Sequence, residues 1–177
     1  MVHADSSTFR EGVDKREAYE QVLEQAKALF EGQRNWAKTS NTSNTASLLW
    51  HALHALPGAS AQTNWAGFYV LDARNPAQLI LGPFQGKVAC QTIAFGKGVC
   101  GAAAQSRRTQ LVPDVEKFPG HIACDGASRS EIVVPVLKRG KVVAIIDIDC
   151  AVENGFDEDD QKQLEALAEL LAEACDW

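Results

Sequence analysis

The chain has 177 residues, 46% of them hydrophobic and 23% charged, enough to bury a core without metal or disulfide staples. A formal net charge of −6 argues against nucleic acid or an anionic membrane as the main partner, because phosphate binding needs clustered Lys and Arg. No apolar run reaches the roughly eighteen residues that span a bilayer, and MVHADSSTFREGVDKREAYE lacks the apolar centre of a signal peptide, so the expected location is the cytoplasm.

Along the chain, Asp14 to Glu31 reads as an amphipathic helix with Tyr19, Val22, Leu23, Ala26 and Phe30 on one face and Gly32 as its stop. The polar stretch KTSNTSNTAS is expected to be a loop that supplies N-caps for a second helix, SLLWHALHAL, ended by Pro57-Gly58. NWAGFYVLD and QLILGPF form an expected antiparallel pair around the turn DARNPA, with Trp65, Gly67, Tyr69 and Leu71 on one face of the first strand. EIVVPVLKRGKVVAIIDIDC is the clearest hairpin, two β-branched runs joined at Arg139-Gly140. A last helix starts near Asp157, where the acidic turn DEDD suits the positive end of the helix dipole, and buries Leu164, Leu167, Ala168, Leu171 and Ala174. Helices at both ends and antiparallel strands between them predict one α+β domain over 1–177, core about 14–175, with N- and C-terminal helices packed on a central sheet.

The chemistry lies in the cysteines and acids. Five cysteines, an odd number in a chain that needs no bridges, argue against a secreted disulfide framework and for packing residues, metal ligands or working thiols. Cys150 and Cys175 sit in regular elements, as packing residues do, whereas Cys90, Cys100 and Cys124 fall within 35 residues in glycine-rich connections. Cys100, in FGKGVCGAAAQS, is placed near a helix N-terminus, a position that favours thiolate. Cys124 lies between His121, whose protonated ring would lower its pKa, and Asp125, which would raise it. Zinc held by Cys90, Cys100, His121 and Cys124 is formally open, but paired C-x-x-C spacing is absent, and thiol redox chemistry without a metal fits better.

In VVAIIDIDC, period-2 alternation puts Asp147 and Asp149 on one strand face together with Val143 and Ile145, and counting back across the turn brings Glu131 beside them. Acids on an apolar face must share protons, bind a cation or emerge into water; the last is the plain structural alternative. Trp65 and Tyr69 share a strand face, where they are core or the wall of a small pocket.

The segments NWAGFY, LGPFQGKVAC, GKGVCG, GHIACD, SEIVVPV and IDIDC, in this order from about Asn64 to Phe156, resemble the free methionine-(R)-sulfoxide reductase family, which is built on a GAF domain. The resemblance implies that Cys124 is the catalytic cysteine and that Cys90 and Cys100 recycle it. It implies also that Trp65 and Tyr69 enclose the methionine sulfoxide side chain, and that Glu131, Asp147 and Asp149 contact the sulfoxide oxygen and amino group. Free methionine sulfoxide as substrate, no bound cofactor, thioredoxin as reductant (with NADPH through thioredoxin reductase) and a homodimer are implied likewise. In such a site the thiolate attacks the sulfoxide sulfur while a carboxyl protonates the oxygen, Cys124 becomes a sulfenic acid, and a second thiol closes a disulfide. The rival reading is a GAF-type sensor that binds a small ligand or switches redox state without turnover; such sensors usually govern an attached output domain, for which the chain has no evident room.

Overall fold

The computed structural model describes residues 4–32 and 37–177. Among these residues four α-helices, α1 (Lys15–Phe30), α2 (Ala37–Ala55), α3 (Gly98–Ser106) and α4 (Glu158–Ala174), accompany six strands: β1 (Thr63–Asp72), β2 (Asn75–Gly86), β3 (Thr92–Ala94), β4 (Gln110–Val112), β5 (Ser130–Lys138) and β6 (Lys141–Cys150). The strands form one sheet in the order β3-β2-β1-β6-β5-β4, and every neighbouring pair is antiparallel. The expected α+β architecture is the observed one.

Period-2 alternation divides the sheet into two faces. Ala66, Phe68, Ile132, Val134, Val136, Ala144, Ile146 and Ile148 pack against α1, α2 and α4 in the larger core. Trp65, Tyr69, Val133 and Ile145 point the other way, to a smaller core shared with Val99, Cys100, Ala103 and Ala104 of α3. Helix α4 begins in a capping box: the Asp157 side chain accepts from the N–H groups of Asp159 and Asp160, and Asp160 accepts from the Asp157 N–H. Lys15 ties the start of α1 to both of those carboxylates at 2.7 Å, and the Tyr19 hydroxyl donates to Asp160 at 2.9 Å.

Two expectations fail. The stretch KTSNTSNTAS is not a loop but the first half of α2. Its polar side chains are accommodated on the helix itself: Ser43 and Thr45 donate to the carbonyls of Thr39 and Asn41, four residues back. Val143 does not share a face with Ile145. The β5–β6 register shifts between Val136 and Leu137, so Val142 joins the smaller core and Val143 packs on the helical side. The DARNPA turn is tighter than expected, since β2 already begins at Asn75. Arg139 and Gly140 close the β5–β6 hairpin with φ of 51° and 75°, the left-handed pair of a two-residue turn that matches strand twist.

Candidate active site

On the face of the sheet opposite the three large helices lies a cavity of about 320 Å³, into which Trp65, Tyr69, Cys90, Cys100, His121, Cys124, Glu131, Asp147 and Asp149 all project. These nine residues, each singled out in the sequence, therefore meet at one place.

Strand register brings the acids and aromatics together. Asp149 is flanked by Trp65 on β1 and Glu131 on β5, and Asp147 by Gly67 and Val133. Gly67 matters because the Trp65 ring lies over it: a β-carbon there would meet Trp65 Cη2 at 2.8 Å and collide with Phe84. A glycine inside a strand is a sign of such close approach, and it is the signal that singles out this residue. The Trp65 indole stacks on Phe84 with centroids 5.2 Å apart and on Tyr69 at 5.9 Å. Both aromatics also use their polar ends: the Trp65 Nε1 donates to the Lys87 carbonyl at 3.1 Å and the Tyr69 hydroxyl to the Cys90 carbonyl at 3.0 Å. The walls of the cavity thus hold the loop that carries Cys90, a function that residue type and spacing did not reveal.

Cys124 stands on the exposed loop after Gly120 and is joined to Cys90 by a disulfide with Cα atoms 5.8 Å apart. Its loop is anchored through Asp125, which accepts from the Ala127 N–H at 3.0 Å and from Asn64 at 3.3 Å and pairs with Lys87 at 3.0 Å. Asn64 donates also to Ser128 at 3.1 Å. Asn64, Lys87 and Ser128 escaped the sequence reading because their role is visible only once β1 and two loops converge. His121, expected to act on Cys124, instead faces Glu131, with Nε2 3.9 Å from Oε2; burial holds its pKa below the usual imidazole value.

Cys100 corrects a second expectation. It is at the start of α3, as foreseen, but its thiol is buried and donates to Glu131 Oε1 at 3.6 Å. Burial, and then the negative charges of Asp147 and Glu131, push its pKa well up; desolvation beside acids outweighs the helix dipole, and Cys100 rests as a thiol. Cys150 and Cys175 are buried, as packing residues are.

The acids are not merely solvated. Glu131 and Asp147 are only 6% and 5% exposed. Burial raises the Asp147 pKa to about 6, and burial followed by the neighbouring carboxylates raises Glu131 and Asp149 well above the carboxylate range. Acids this close titrate as a set, and the set retains protons near neutral pH. A disulfide-forming thiol at the mouth of a small cavity, aromatic walls and proton-bearing carboxyls on its floor suit the reduction of a small, polar oxidised substrate.

Comparison with known proteins agrees with this geometry. Residues 42–176 match the GAF domain family. The chain is 52% identical over 174 residues to the free methionine-R-sulfoxide reductase of Saccharomyces cerevisiae, covering 98% of this chain and 94% of the relative. A solved GAF domain structure overlays with a TM-score of 0.94 at 51% identity, covering 100% of this chain and 98% of that one. The free methionine-R-sulfoxide reductase of Neisseria meningitidis, solved with its substrate, overlays with a TM-score of 0.83 at 38% identity over 94% of this chain and 93% of its own. On its cavity, its fold and this identity across almost its whole length, the chain belongs to the free methionine-R-sulfoxide reductase family of GAF-domain proteins.

Proposed function

We propose that the protein reduces free L-methionine (R)-sulfoxide to methionine through Cys124, with Cys90 as the thiol that resolves the intermediate. The observation that carries this reading is the Cys90–Cys124 disulfide at the cavity over the three acids. In the reduced enzyme the Cys124 sulfur attacks the sulfoxide sulfur. The sulfoxide oxygen takes a proton from the Glu131–Asp147–Asp149 set and passes to Cys124, so that methionine leaves and the cysteine is oxidised to sulfenic acid. The Cys90 thiol then condenses with it, water departs, and the disulfide forms. A dithiol reductant takes up the oxidising equivalents and restores both thiols.

Trp65 and Tyr69 hold the methyl end while the acids fix the oxygen, which distinguishes one sulfoxide epimer from the other. The carboxylate left ionised attracts the substrate ammonium, which a peptide-bound methionine lacks. Thioredoxin, fed by NADPH through thioredoxin reductase, suits the reductant's role because Cys124 is exposed. Cys100 is a second recycling thiol on the family pattern, and its burial supports a place after Cys90. We read about 14–175 as one domain because two cores share one sheet, and the working unit as a cytoplasmic homodimer. No helix among the described residues is long and apolar enough to cross a membrane.

The test supplies each epimer of free methionine sulfoxide with thioredoxin, its reductase and NADPH. Sustained NADPH oxidation with the R epimer alone is expected. Saturable binding of that epimer without turnover would instead support a non-catalytic sensor.

A further inference from the structure

The floor of the cavity has the form of a metal site. The Cys100 sulfur, one Glu131 oxygen and one Asp147 oxygen lie within 4.8 Å of one another, and all three residues are buried. The sulfur is 3.6 Å from Glu131 Oε1, and a tetrahedral zinc ion with bonds of about 2.3 Å to sulfur and about 2.0 Å to oxygen separates those atoms by about 3.5 Å. Asp147 gives an independent sign: the residue is only 5% exposed and its carboxyl meets Cys100 and Glu131, yet its Oδ1 has no hydrogen-bond partner among the described residues. A buried carboxylate oxygen without a partner is costly, and a cation beside it removes the cost.

We propose that Cys100, Glu131 and Asp147 bind a thiophilic divalent cation of the zinc class, and that the bound ion excludes the sulfoxide from the cavity. The thiolate selects zinc or cobalt over magnesium and calcium, which prefer all-oxygen shells. The Cys100 proton leaves to buffer as the sulfur coordinates. His121, whose Nε2 is 3.9 Å from Glu131 Oε2, lines the same cavity. The exclusion of substrate rests on the reductase reading; the binding does not.

The disulfide form of the protein, free of added thiol, is titrated with Co²⁺ and no substrate. One equivalent is expected to give a thiolate-to-cobalt charge-transfer band and tetrahedral ligand-field bands, both bleached by one equivalent of Zn²⁺. Cys100→Ser should remove the charge-transfer band, and Asp147→Asn should weaken cobalt binding tenfold or more. No band with the unaltered protein, or a band that persists in Cys100→Ser, overturns the site. Free methionine (R)-sulfoxide is then added to the cobalt form: release of the ion supports mutual exclusion, and an unchanged spectrum overturns that half. Because the cobalt readout needs no turnover, a failure of the reductase reading leaves it intact.

Discussion

In the proposed cycle Cys124 and Cys90 divide the labour that a sulfenic acid requires, one exposed to meet substrate and reductant, the other on a loop held by the Tyr69 hydroxyl. Cys124→Ser is therefore expected to release no methionine even in a single turnover, whereas Cys90→Ser should release about one equivalent and then stall. Tyr69→Phe keeps the aromatic wall but frees the Cys90 carbonyl; rapid-quench kinetics should show disulfide closure slowed more than methionine release. Asp149→Asn removes one of the proton-bearing carboxyls and should lower the single-turnover rate by about a hundredfold or more, with a smaller effect on binding. That these residues line one cavity was legible in the sequence because acids on an apolar strand and cysteines in glycine-rich loops are anomalous. The state of Cys100 was not, because the carboxyls that suppress its thiolate come from β5 and β6, more than thirty residues away.

At the scale of elements, the sheet is a plate with a different core on each face, and alternation along β1, β5 and β6 assigns side chains to each. Period-2 alternation predicts these faces wherever the strands stay regular. It failed at Val143 because a register shift cannot be seen in one strand alone, and at α2 because Asn, Ser and Thr runs suggest caps until their hydroxyls are seen bonding within the helix. Gly67 is where the plate and the cavity meet. Gly67→Ala pushes a methyl against Phe84 and the Trp65 ring, and it should cost about 1–3 kcal/mol in urea unfolding while raising KM with a smaller change in kcat. At the other face, Asp157→Ala removes the capping box of α4 and one Lys15 contact; a loss of about 1–2 kcal/mol is expected, with no effect on the R-epimer preference.

The whole molecule carries a stability penalty to hold its acids inside. Asp147 rises from the ordinary value of 3.8 to about 6, so the folded state binds more protons than the unfolded one across that interval. Its stabilising contribution is full below about 4 and is lost as the pH rises through 6. Glu131 and Asp149, raised further, extend the loss upward. Asp147→Asn should accordingly gain stability relative to the unaltered protein between pH 4 and pH 7, by about 2 kcal/mol, read from urea midpoints at both pH values; a gap that does not change with pH would count against the buried charge. The most direct test of the account is a single turnover of the fully reduced protein with free methionine (R)-sulfoxide, followed by mass-spectrometric mapping of the cysteines. One methionine released per chain and one new disulfide, between Cys90 and Cys124, are expected. Methionine release by Cys124→Ser, or a first disulfide that omits Cys124, would contradict it.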